Sequence, residues 1–133
     1  LNMKKVLFLV VAFFAFQIVS AQDTTNVTDN TVYNTAGIDV KPEFPGGIDK
    51  FYKFISENYY CPKVEKLAGK VYVSFVVEKD GSLTEINVLR DIGYGTGNEA
   101  IRVLKLCPKW LPGEHNGYKV RCIYCLPIAI LAK

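Results

Sequence analysis

Cys122-Ile123-Tyr124-Cys125 is the one CxxC spacing in the chain, and its residue types suit zinc binding or disulfide exchange. The surrounding pattern argues against both. Val120, Cys122, Tyr124 and Leu126 alternate with Lys119, Arg121, Ile123 and Cys125, the period of a strand. Side chains three apart on a strand point to opposite faces, so these two thiols cannot converge. There is no second CxxC and no His at ligand spacing, so neither a metal nor a cofactor is expected. The only His, His115, follows Pro112-Gly113-Glu114 in a polar turn. A small hydrolase pairing a Cys nucleophile with His115 is the one catalytic reading left, and spacing alone does not bring that pair together. Gly93-Tyr94-Gly95-Thr96-Gly97 suggests a phosphate cradle but lacks the Lys and hydroxyl after its last Gly, so it reads as a turn. Cys107 and Cys122 fall on the inferred core faces as small apolar residues. Phe44 and Trp110 are expected in the core rather than as exposed docking aromatics.

These residues must be positioned by a chain of 133 residues, 50% hydrophobic and 22% charged, enough for one domain with one core. Formal net charge is +3. Two of those charges, Lys4 and Lys5, precede an apolar run; without them 14 basic residues face 13 acidic ones, about +1. No basic patch remains, and a nucleic-acid partner is not expected.

Met3-Lys4-Lys5, the apolar run over residues 6–19 and Val19-Ser20-Ala21 have the build of a secretory signal peptide, residues 1–21, cut before Gln22. The alternative is an uncleaved inner-membrane anchor, for which the run is short against the roughly 20 apolar residues of a spanning helix. Membrane association is expected only in that case. Residues 22–41, rich in Thr, Asn and Asp and without an apolar period, read as a flexible tether. The globular domain is expected over residues 42–133. Export permits disulfides without requiring them.

Within the domain, Ile48, Phe51, Tyr52 and Ile55 recur at helical spacing, predicting a helix ending near Asn58. Pro62 could open one or two further helical turns up to Leu67. Val71, Val73, Phe75 and Val77 alternate as a strand, Asp80-Gly81 offer a type I′ turn, and a second strand runs over residues 83–89. A second helix is predicted from Thr96 to about Cys107. After Trp110-Leu111-Pro112-Gly113 and a turn at Asn116-Gly117, a last strand runs over residues 119–130 with Pro127 inside it, the mark of an edge. Antiparallel pairing then requires the last strand to lie beside the first. The expected fold is α+β, a two-layer sandwich: a three-stranded antiparallel sheet of order 2-1-3 with two helices on one face. The last strand is left with an exposed side.

This arrangement resembles the C-terminal domain of TonB, in the compact form found among exported bacterial proteins. The resemblance rests on Pro42-Glu43-Phe44-Pro45-Gly46-Gly47, on Gly69-Lys70-Val71-Tyr72-Val73-Ser74-Phe75-Val76-Val77-Glu78-Lys79-Asp80-Gly81 and on Glu99-Ala100. Pro108-Lys109-Trp110-Leu111-Pro112-Gly113, Asn116-Gly117 and the run from Val120 to Leu126-Pro127-Ile128 complete it. It implies a non-enzymatic periplasmic module that binds the N-terminal "TonB box" peptide of outer-membrane TonB-dependent transporters by strand addition, supporting energy-coupled transport. The implied site is the edge of the last strand: Lys119, Val120, Arg121, Cys122, Ile123, Tyr124 and Cys125. An open edge also permits a strand-swapped homodimer. The chain departs from a full transducer in its cleavable-looking leader and in a tether reaching at most ~70 Å. It also has Cys61 where the family usually has Tyr. The rival reading within the same fold is an unanchored periplasmic adaptor or competitor that transmits no force.

Overall fold

In the computed structural model residues 30–132 are described, so the leader expected over residues 1–21 lies outside them. The elements fall within the unit Thr31–Lys133. In chain order they are β1 (Val32–Asn34), α1 (Ile48–Asn58), β2 (Ala68–Val77), β3 (Leu83–Arg90), α2 (Thr96–Lys105), β4 (Gly113–His115) and β5 (Tyr118–Leu131).

The alternation in β2 does what its period requires. Val71, Val73, Phe75 and Val77 are fully buried on the face that meets both helices, as are Phe51 of α1 and Ala100 and Val103 of α2. Trp110 organises this core, with its ring 5.3–5.8 Å from those of Phe44, Phe51, Phe75 and Tyr124. Three of those contacts and the fourth with Tyr124 are edge-on, the geometry aromatic quadrupoles favour. Both Trp110 and Phe44 are thus core residues. α2 carries Glu99 in its first turn and Arg102 and Lys105 in its last, matching the helix dipole. Arg102 also closes the helical layer: it bonds Glu99 and the Asn58 carbonyl at 2.6 Å, while Tyr59 donates to the Thr96 carbonyl at 2.8 Å.

Among the described residues the fold is α+β with two helices, but the expected three-stranded antiparallel sheet needs correction. The sheet is mixed and has five strands, in the order β1-β5-β2-β3 with β4 paired to β5. The expected order survives inside it as β3-β2-β5. What is added is β1, parallel to β5, and β4, antiparallel to it. Each is three residues long, too short for any hydrophobic period to show in sequence. β1 and the 3-10 turn Thr35–Gly37 after it lie in the stretch expected as tether.

Two local expectations are also corrected. Residues 62–67 form no helix; Leu67 donates to the Val64 carbonyl at 3.2 Å and the chain enters β2 directly. The β2–β3 connection is not a type I′ turn over Asp80-Gly81. Gly81 donates to the Glu78 carbonyl and Glu78 to that of Ser82, both at 2.8 Å, and only Gly81 has positive φ, at 90°. This is a type I turn followed by a left-handed glycine. Asp80 is held in it by accepting from the Ser82 amide and hydroxyl at 2.9 and 2.6 Å. Positive φ at both central residues occurs instead at Asn116-Gly117, between β4 and β5.

Candidate functional site

The hydrogen-bond phase of β5 decides which of its backbone groups are available. Ala132 donates to the Leu67 carbonyl at 2.8 Å, and the β2–β5 register runs without a break from Ala68↔Leu131 to Val77↔Cys122. The N–H and C=O of one residue in an antiparallel strand point the same way, and successive residues alternate. Even-numbered residues from Cys122 to Ile130 therefore bond β2, and odd-numbered ones direct their backbone groups away from it. Pro127 sits in the outward phase, where its missing N–H costs the sheet nothing. Its carbonyl accepts from the Tyr52 hydroxyl of α1 at 3.3 Å.

The structure divides the seven residues expected to form the edge. Lys119 and Val120 pair with Glu114 and Gly113 of β4. Arg121, Cys122 and Ile123 lie opposite Val32, Tyr33 and Asn34 of β1. Tyr124 and Cys125 lie past the end of β1. From there to Leu131, the outward side of β5 has no strand neighbour among the described residues. On its outward side β5 is therefore covered by β1 at residues 121–123 and open from Tyr124 onward, which corrects the expectation of one continuous exposed side. β4, whose Glu114 bonds Val40, pairs through Gly113 and His115 with even-numbered residues, in the phase that also bonds β2.

Two cavities mark the ends of that open stretch. One, of about 500 Å³, lies between α1 and β5 and is lined by Tyr52, Ile55 and Tyr59 with Ile128 and Ile130. The other, of about 360 Å³, is lined by Phe44, Ile48, Trp110 and Tyr124 with Lys41 and Glu43. The first is mainly apolar, the make-up of sites that take apolar side chains, whereas the second is lined about equally by polar and apolar groups. Tyr52 was legible as a helix-face residue, but nothing in the sequence placed its hydroxyl on the β5 backbone.

Arg121 is committed to structure. Its guanidinium bonds Glu78 through two nitrogens, at 2.8 and 3.0 Å, and Glu85 at 3.0 Å. Glu78 also accepts from Thr84. The Arg121 hydrogen bonds hold the Glu78 carboxyl below its usual value of 4.5, and the same partner raises Arg121.

The residues with reactive chemistry are dispersed. Cys122 is buried and Cys125 exposed, as opposite faces of one strand demand. Burial pushes the Cys107 thiol up to about 11 and raises that of Cys122, so both are protonated and poorly nucleophilic at neutral pH. His115, in β4, has Asp39 at 3.6 Å and the Tyr33 ring at 5.5 Å as neighbours. Among the described residues no group of three or more His, Cys, Asp or Glu could hold a metal ion.

Comparisons with curated proteins and with solved structures return no match. The family described as "Gram-negative bacterial TonB protein C-terminal" matches residues 63–129, half of the chain. That span contains the β2–β3 hairpin, α2, Trp110 and most of β5, which carried most of the resemblance in sequence; Pro42-Glu43-Phe44-Pro45-Gly46-Gly47 lies before it. The chain belongs to the TonB C-terminal domain family, a family of non-catalytic protein-interaction domains.

Proposed function

We propose that this domain serves energy-coupled transport by binding the extended N-terminal box peptide of an outer-membrane TonB-dependent transporter as a strand added to the outward edge of β5. The observation that carries this reading is the half-open edge. Over residues 124–131 the backbone groups of Cys125 and Ala129 point outward with no strand beside them among the described residues, between a mainly apolar cavity and one of mixed lining. Strand addition supplies affinity through such groups and specificity through pockets for alternate side chains.

Magnitudes support a reversible contact. Four or five backbone hydrogen bonds contribute roughly 0.5–1.5 kcal/mol each. Ordering the peptide opposes them by about 2–5 kcal/mol. The pockets must then discriminate among peptides. Of the residues first expected at the site, Tyr124 and Cys125 are reached without rearrangement, whereas Arg121, Cys122 and Ile123 are reached only if β1 leaves. Calorimetric titration with a box peptide tests the reading: binding to the wild type that is lost in a folded Cys125→Pro variant supports it. Equal binding by both proteins rejects this edge.

A second reading keeps the peptide and drops the force. The leader-like pattern of residues 1–21 favours export with cleavage, leaving an unanchored periplasmic adaptor. Among the described residues no helix is long and apolar enough to cross a membrane. The same open edge would accept a second copy of the chain, which would appear as a dimer in sedimentation and would compete with peptide.

A further inference from the structure

We infer that β1 is an exchangeable cover for the site: it occupies the first part of the β5 edge in place of a peptide and is displaced by a strand long enough to need that part. The inference rests on the docking reading above. β1 pairs with Arg121, Cys122 and Ile123, three of the residues at which a peptide strand was expected. Because Cys122 directs its backbone groups to β2, the bonds to β1 run from Arg121 and Ile123 to the residue opposite Cys122, which is Tyr33. One residue therefore holds both ends of the pairing.

The cover is weakly embedded. No residue of β1 or of the 3-10 turn after it is buried, and Val32 is 40% exposed. The one ring contact is Tyr33 with His115, 5.5 Å apart. The chain is fixed just beyond this segment. Asp39 accepts from the Asn116 amide at 2.9 Å, Val40 exchanges two backbone bonds with Glu114, and Glu43 exchanges two with Leu111. β1 can thus leave while residues 39–43 stay in place. Between them lies Gly37, where even an added Cβ would meet nothing within 4 Å, so the pivot is unobstructed. Elements that open locally at low cost are those with few buried apolar contacts, and no residue of β1 is buried. Peptide affinity is then reduced by the fraction of molecules in which β1 is docked.

The test uses the full chain, a short peptide that can pair only with residues 124–131 and a long one that also reaches residue 121. Tyr33→Pro removes the N–H through which β1 bonds Arg121 and touches no core residue. Long-peptide affinity should rise about tenfold in this variant, while short-peptide affinity stays as in the wild type. Amide spectra of the wild type give an independent measure that needs no variant. Saturation with long peptide should shift the Tyr33 amide signal to an unpaired position, and saturation with short peptide should leave it unmoved. Long peptide that binds while β1 stays paired overturns the cover and leaves the docking reading intact. If neither peptide binds either protein, the docking reading itself fails and the cover fails with it.

Discussion

Arg121 shows what a residue's identity hides. In sequence it is one of the alternating polar positions of a strand; in the folded chain it is the centre of an acidic clamp made by Glu78 and Glu85. The partners lie far along the chain, and no local spacing announces them. The clamp has a pH signature. Glu78 is held below 4.5, chiefly by its hydrogen bonds to Arg121, so its contribution to stability is present above the unfolded carboxylate value and is lost as pH falls through the folded one. Stability measured by denaturant should therefore decline on acidification below about pH 4.5. Glu78→Gln should flatten part of that decline, and an unchanged slope would contradict the clamp. Gly81 was legible as a turn glycine with positive φ, but not for its close approach to Trp110. Its φ is 90°, and a Cβ added there would lie 2.1 Å from the Trp110 carbonyl oxygen, while Gly81 accepts from the Trp110 amide at 2.8 Å. Backbone strain alone costs about 1–3 kcal/mol. Gly81→Val should cost more than this range because the collision also displaces Trp110, read as a lowered denaturation midpoint. A midpoint equal to wild type would contradict it.

At the scale of elements, strong period and length decided what could be read. β2, with four alternating core residues, and the two amphipathic helices were legible, and so was the neighbourhood of β2 and β5, because an antiparallel connection leaves few other solutions. β1 and β4 were not, since three residues display no period and pair only because β5 is already in place. The candidate edge was therefore legible as a strand but not in its extent: β1 covers residues 121–123 of the part that sequence favoured. Pro127 was correctly read as an edge signal, and the Ala132–Leu67 bond turns that signal into a phase for the whole strand. The phase makes an asymmetric prediction. Cys122→Pro should break the β2–β5 ladder and lower the denaturant midpoint by the equivalent of about 1–3 kcal/mol beyond a Cys122→Ala control. Cys125→Pro, in the outward phase, should melt within about 0.5 kcal/mol of wild type. Equal losses at the two positions would mean that the phase assigned to β5 is wrong.

In the whole molecule, a family shown over residues 63–129 comes with a β5 edge partly covered by the chain's own β1. Whether the domain works as an anchored transducer or a released adaptor turns on residues 1–21. The leader reading predicts that intact mass of the protein from its native host corresponds to a chain starting at Gln22; a retained leader would favour the anchored form. The central claim is that a peptide strand adds along the open half of β5, and amide hydrogen exchange measures it most directly. Box peptide at saturation should slow exchange at Cys125 and Ala129, whose N–H groups point outward, by more than about tenfold. The even-numbered β5 amides, already bonded to β2, and the outer edge of β3 should stay as they are. Peptide that binds without protecting Cys125 and Ala129, or that protects the edge of β3 instead, would contradict the account.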